Sequence, residues 1–213
     1  MYDTAKDYDT GFVYLPAFKR TMRVSATTWQ DNIAGSDMTY GDAFCFQDPP
    51  SDWNLMLIEK KFLLVPEPKN PTPIKDEKGK VSKSLQFDEG KKFPRLGWAI
   101  VPVDVVDCIP KIKHIYGKRV AYLPIWPYIH SGSAVAIADL YDRQMKLWKL
   151  NYLLYGCQEY LNGDSQMAVT PFSGAQVYDI QVDHATLYWI RQKINVSLDP
   201  ESMNLGKLLR LGR

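Results

Sequence analysis

The sequence has almost no charge of one sign to spare: across 213 residues, 26 Lys and Arg stand against 24 Asp and Glu, a formal net charge of +2. The basic residues are scattered among acids rather than gathered in a stripe, so the electrostatic footprint of a nucleic-acid binder is missing. Cysteine is scarce as well. Cys45, Cys108 and Cys157 are odd in number and far apart, which excludes a CxxC redox pair, a zinc ribbon and a complete disulfide framework and leaves them as small buried hydrophobes. No apolar run approaches the ~18 residues of a spanning helix, and the opening MYDTAKD is polar, unlike a secretory leader. As written, the chain is expected to be soluble.

The motifs of common chemistries are also missing. No GxSxG, P-loop or GxGxxG occurs, so neither a hydrolase elbow nor a nucleotide cofactor is expected. The three histidines are His114, His130 and His184. His184 follows Asp183, but successive strand residues point to opposite faces, so adjacency alone does not make a base with its orienting acid. A packed or hydrogen-bonded histidine is the expectation there. His114 and His130 lack helical metal spacing with any acid or cysteine, and Asp139 with Asp142 fall at a strand end and turn; no metal site is expected.

What is present is core material: 46% of residues are hydrophobic and 13% aromatic, enough for a sizeable core in one domain. The apolar residues alternate, which is the signature of strands. Residues 12–15 and 20–24 read as a hairpin, and 55–65 as a long strand that puts Met56, Ile58, Phe62 and Leu64 on one face. Residues 98–106, 119–125, 135–141 and 146–153 follow as strands paired in a meander, and 180–190 closes the set. Between them, 67–94 is rich in Lys, Pro, Asp, Glu and Gly and reads as an exposed insertion or loop. Residues 200–211 read as a terminal helix, with Asp199 as its cap and Pro200 in its first turn. Many antiparallel strands with little helix leave a sandwich, a closed barrel or a half-barrel.

The stretch 33–44, IAGSDMTYGDAF, mixes turn formers, cap formers and aromatics too densely for an ordinary strand. Gly35 permits a positive φ, Ser36 and Asp37 can bond nearby amides, and Thr39 with Asp42 approximates a capping box. A shaped corner is the reading. The alternative makes Tyr40, Phe44 and Phe46 the lip of a hydrophobic opening.

Five motif blocks, in order, carry a family resemblance. Residues 12–24 (FVYLPAFKRTMRV) with 35–42 (GSDMTYGD) resemble the "VYLP, basic pair, GSD, T-Y-x-D" signature of bacterial DUF1329 proteins, relatives of the LolA/LolB-like lipoprotein-sorting proteins. Residues 53–55 and 60–66 (KKFLLVP), 114–122 (HIYGKRVAY), 139–143 (DLYDR) with 146–149 (KLWK), and 178–181, 184–186 and 208–213 continue it over nearly the whole chain. The resemblance implies a mainly β fold: a strongly curved antiparallel sheet or incomplete β-barrel of LolA/LolB-like type with a short C-terminal helix. Residues 1–213 would be a single such domain corresponding to the later part of the family chain, with an edge left exposed or covered by a partner. At 124–132 (PIWPYIHSG) the family has a short acidic hairpin turn, so this stretch is a candidate contact surface.

The function implied is that of a non-catalytic carrier of a lipid or other hydrophobic molecule, in the periplasm or at the outer-membrane periphery. An RND-type transporter or another protein subunit is the implied partner. Alternation alone selects Met22, Val24, Met56, Ile58, Phe62, Leu64, Val120, Tyr122, Val182, Thr186 and Tyr188 as ligand-binding residues. The competing reading is a structural or scaffold subunit whose apolar sheet face is filled by a protein partner. Lys19-Arg20 and Lys118-Arg119 could meet anionic head groups or simply protect strand edges. No acid, base and nucleophile come together in the sequence, so an enzyme is not expected.

Overall fold

The computed structural model describes residues 10–15, 19–67, 74–82, 86–88, 90, 92–125, 135–155, 158–162, 165–169, 172–190, 197, 199–200 and 204–211. The fold is mainly β. A hairpin of β1 (Gly11–Leu15) and β2 (Arg20–Val24) precedes four short 3-10 segments, Ala26–Thr28, Ile33–Gly35, Tyr40–Cys45 and Pro50–Asp52. Then come β3 (Trp53–Pro66), β4 (Trp98–Pro110), β5 (Lys118–Pro124), β6 (Ile137–Tyr141) and β7 (Leu147–Tyr155). A separate hairpin of β8 (Gln158–Asn162) and β9 (Ser165–Val169) is followed by β10 (Phe172–Asp179), β11 (His184–Trp189) and the helix α1 (Leu205–Leu211).

Seven strands form one sheet in the order β11-β10-β7-β6-β5-β4-β3, antiparallel throughout. The expected meander is therefore present, with one addition. Alternation predicts a single strand over 180–190, whereas 180–183 is the turn of a hairpin whose first strand, β10, alternation does not predict. Asp179 explains the turn: its carboxylate accepts the Gln181 and Val182 amides at 3.0 and 3.3 Å, a local bond that competes with the ladder. Of the expected terminal helix, Pro200 is in a 3-10 turn, 201–203 lie outside the described residues, and α1 itself starts at Leu205. The Asn204 side-chain oxygen accepts the Gly206 N–H at 2.7 Å and caps α1.

Cross-strand partners share a face, so the register sorts the side chains. One face carries Val101, Val103, Val105, Val120, Tyr122, Ile137, Asp139, Leu150, Tyr152, Gln176 and Tyr178. The other carries Cys108, Arg119, Ala121, Ala138, Leu140, Lys149, Asn151, Leu153, Ala175, Val177, Thr186 and Tyr188. Buried residues occur on both, and each face has its own cover.

The first face is covered partly by the sheet itself. β4 pairs with β5 only through 103–108, so 98–102 and their β3 partners 62–66 project as a two-stranded arm. Two-stranded ribbons twist more than wide sheets, and β3 comes close to β7 although β4, β5 and β6 lie between them in the ladder. Val65 and Val101 of the arm join Ile137 and Tyr152 in one buried cluster, and Trp98 meets the Tyr152 ring edge-on at 5.8 Å. The end of the 67–94 excursion lies on the same face. Residues 77–81 are exposed, but Gln86 and Pro94 are buried, Phe93 packs edge-on against Tyr152 at 5.9 Å, and the Gln176 side-chain amide donates to the Lys92 carbonyl.

The second face is covered by 25–52. Lys149 Nζ donates to the Asp37 carbonyl at 2.6 Å, Asn151 Nδ2 to the Asp42 carbonyl at 2.7 Å, and Arg119 Nη2 to the Asp42 carboxylate at 3.1 Å. The expected corner is real: Gly35 has φ +76°, and the Asp42 carboxylate accepts the Thr39 N–H at 2.9 Å. Ala34, Phe44 and Cys45 are also left-handed, at φ 51°, 54° and 62°. Each such residue costs about 1–3 kcal/mol, so the segment depends on its anchors for its shape.

Candidate functional site

A cavity of about 670 Å³ opens on the first face. That size falls within the roughly 300–1,000 Å³ of pockets that enclose small ligands. The arm contributes Leu63, Leu64 and Trp98, the loop end Phe93, Pro94 and Leu96, and the sheet floor Tyr122, Ile137, Leu150 and Tyr152. Among the described residues, the charged groups lining it are Asp88, Arg95 and Asp139. Asp88 is occupied in closing its own turn, accepting the Lys92 and Phe93 amides at 2.9 and 3.2 Å, and Arg95 is exposed.

Asp139 belongs to the floor. Its partner across β5 and β6 is Val120 and its partner on β7 is Leu150. The Tyr122 hydroxyl donates to Asp139 Oδ2 at 2.7 Å. Burial raises the Asp139 carboxyl above its ordinary range and outweighs the bond from Tyr122 and the distant pull of Lys61. The Tyr122 phenol is raised too, first by burial, then by its hydrogen bond to Asp139 and by the Asp139 charge. In the sequence Asp139 stands out only as a possible metal ligand with Asp142; the usable signal is a carboxylate inside the otherwise apolar run Ile137–Tyr141.

Of the residues chosen by alternation, Leu64 and Tyr122 line this cavity. The structure does not bring the others to it. Val120 is buried beside Asp139. Met22 and Val24 belong to the β1–β2 hairpin. Met56 and Phe62 do not share a face: a bulge between Leu57 and Glu59, at Ile58, reverses the phase, so Met56 pairs with Asp107 and Phe62 with Pro102. Val182 is in the exposed β10–β11 turn, and Thr186 and Tyr188 lie on the opposite face. Thr186 Oγ1 donates to Asp37 Oδ2 at 2.7 Å. Tyr40, Phe44 and Phe46 do not border the cavity; Phe46 packs on Trp53 at 5.5 Å. His130 and most of 124–132 lie outside the described residues, as does Cys157.

The opposite face holds a buried ionic cluster. Arg119 is fully buried, with Nη2 3.1 Å from Asp42 Oδ1 and Nη1 3.1 Å from Asp48 Oδ2. Its guanidinium also lies 4.7 Å from the Phe46 ring centre and 5.0 Å from that of Trp53. Tyr116 donates to Asp42 Oδ2 at 2.7 Å, and His114 Nε2 is 3.6 Å from Asp48. Burial alone would raise the Asp48 carboxyl, but Arg119, with His114 and Trp29, holds it below the usual range. These groups bind each other and the 25–52 segment, which makes the cluster a clamp on that segment. Lys118-Arg119, read as a surface pair, is split accordingly: Lys118 pairs with Asp107 at 2.7 Å while Arg119 points into the clamp.

His184 is hydrogen-bonded, as expected, but to Asp37 at 2.7 Å rather than to Asp183. Asp183 instead accepts from Tyr178 at 2.7 Å. Burial raises the Cys45 and Cys108 thiols, pushing Cys108 up to about 11 and Cys45 higher still. Among the described residues, no group of three or more His, Cys, Asp or Glu is placed to hold a metal ion, and no helix is long and apolar enough to cross a membrane.

Two solved structures share the fold. One is a provisionally named outer membrane lipoprotein-sorting protein domain from Vibrio parahaemolyticus, 18% identical, with TM-score 0.57 over 95% of this chain and 67% of that one. The other is a DUF1329 family protein from Desulfovibrio piger, 15% identical, with TM-score 0.56 over 97% of this chain and 68% of that one. No curated protein matches the sequence. Residues 1–206 match the DUF1329 family, described as a protein family of unknown function, and the chain belongs to that family.

Proposed function

We propose that the protein is a non-catalytic carrier that holds a lipid or other hydrophobic molecule in the cavity between the sheet and the β3–β4 arm. The observation that carries this reading is the cavity itself, large and walled by Leu63, Leu64, Phe93, Trp98, Ile137 and Leu150. At about 25 cal/mol per Å² of apolar surface, burying even ~300 Å² of ligand supplies several kcal/mol without any chemistry. The approach of β3 to β7 supports an incomplete barrel of LolA/LolB-like type. The name of the Vibrio relative supports work at the cell envelope, in the periplasm or at the outer membrane, with an RND-type transporter as a candidate partner.

The experiment is uptake of Nile red, a neutral fluorescent hydrophobe, together with mass spectrometry of co-purifying lipid. Leu64→Asp and Phe93→Asp place an unpaired charge in the cavity wall at exposed positions that tolerate it, and should weaken uptake. Phe62→Asp, outside the cavity, should not. Absence of both probe uptake and bound lipid would overturn the reading.

A scaffold role has one observation of its own. Phe62 and Ile100 are each 71% exposed, and Leu55, Leu57 and Ile58 are exposed along the edge strand β3. An apolar edge of this kind suits a protein subunit. Under that reading Phe62→Asp breaks association and leaves Nile red uptake unchanged.

A further inference from the structure

Resting on the carrier reading, we infer that the ligand is an uncharged hydrophobe bearing a hydroxyl group, and that Asp139 is the residue that selects it. The polar groups of the cavity floor are the Asp139 carboxylate and the hydroxyls of Tyr122 and Tyr152, and Asp139 is the one acid among them. A carboxylate offers about four acceptor sites. Tyr122 uses one of them on Oδ2, and among the described residues no cation forms an ion pair with Asp139. Lys61 lies over the Tyr122 ring, 5.2 Å from its centre, and bonds to Glu59 at 3.0 Å. Asp139 thus lines the cavity with acceptor capacity to spare, in a setting where burial already disfavours its charge.

A ligand that fills the cavity strips water from this carboxyl. If its surface there is only methylene, the carboxyl is left buried with one partner, which is costly. A hydroxyl replaces the lost water by donating to Asp139 and can accept in turn from a protonated carboxyl. A fatty acid fails in either orientation. Head inward, its carboxylate meets Asp139; head outward, near the exposed Arg95 at the rim, its methylenes lie over Asp139. Asp88, the other acid lining the cavity, lies at the loop end rather than in the floor and accepts two of its own loop amides on Oδ1. The site thus discriminates by a buried acceptor, which rejects ligands that cannot satisfy it more strongly than shape alone does.

The test is displacement of bound Nile red near neutral pH by dodecan-1-ol and by dodecanoate, which share a chain length and differ at the head. The alcohol should displace the dye at a concentration at least about tenfold lower than the acid. Asp139→Leu should abolish that preference. Should the leucine variant fail to give the native circular dichroism spectrum, Asp139→Asn, which keeps the shape and removes the charge, should bind dodecanoate at least about tenfold more tightly than the unsubstituted protein. Equal displacement by the two ligands, or a preference that survives loss of the carboxylate, overturns the assignment to Asp139 while the carrier reading stands. Failure of the protein to take up Nile red at all overturns both.

Discussion

Replacing Arg119 by leucine isolates the energetics of the clamp. Arg119 bridges two carboxylates that are themselves buried, Asp42 at 0% and Asp48 at 2% exposure. In Arg119→Leu both remain out of water with their countercharge gone. Breaking a buried pair in this way costs about 3–5 kcal/mol, a large part of the roughly 5–15 kcal/mol that holds a domain folded. For a chain of this size, about 2–4 °C of Tm accompanies each kcal/mol, so the melting point should fall by roughly 6–20 °C. Urea unfolding followed by tryptophan fluorescence measures the loss, and an unchanged m-value shows that the folded state stays compact.

The triple variant Arg119→Leu, Asp42→Asn, Asp48→Asn separates a missing contact from stranded charge. The asparagine at 42 keeps an oxygen for the Thr39 amide and the Tyr116 hydroxyl, which bond the carboxylate at 2.9 and 2.7 Å. If stranded charge is the main cost, the triple variant recovers more than half of the lost stability. A single variant that loses less than about 1 kcal/mol, as an exposed pair would, refutes the reasoning. So does a triple variant less stable than the single.

Asp139→Asn should raise stability at neutral pH: a carboxyl whose folded pKa is raised weakens the fold as pH rises through that value, so the gain should vanish at pH low enough to protonate Asp139 in both states. Melting curves across the acid range check the sign. Asp48 runs the other way: its depressed folded pKa gives stability that is present above the unfolded value of about 3.9 and is lost as pH falls through the folded one. Asp48→Asn should therefore be less stable at neutral pH and flatten the acid limb of the stability curve. Gly174→Ala should cost about 1–3 kcal/mol and loosen the edge strand β11, because a Cβ there would lie 2.2 Å from the Tyr188 carbonyl oxygen. Amide exchange localised to 184–189 reads that effect.

The strand order was legible because alternation and turn chemistry agree wherever a strand has one cover. β3 to β7 read correctly to within a few residues at most ends, since Pro66, Pro110 and Gly117 punctuate apolar runs of period two. β10 was missed for a physical reason. It is FSGAQVYD, and its Ala175 and Val177 face the 25–52 cover while Gln176 and Tyr178 face the loop. A strand covered on both sides, partly by polar loops, need not alternate apolar with polar. The 3-10 segment Tyr40–Cys45 escapes periodicity altogether, because long-range bonds from Arg119 and Asn151 to Asp42 hold it, with Lys149 holding Asp37 just before it.

The site was less legible than the fold, and β3 shows why. Alternation assigns residues to two sets but does not say which set faces the cavity, and a single bulge exchanges the sets partway along a strand. Reading Met56 and Phe62 as one face was correct in count and wrong in space, because Ile58 is the extra residue. The selecting residue was harder still. Asp139 sits among Ile137, Ala138 and Leu140, and its environment is made by Tyr122 on β5 and Tyr152 on β7. No window of the sequence contains all three. What the sequence does hold is the anomaly of an acid in an apolar strand, and such an anomaly marks a position whose neighbours must be known before its role can be argued.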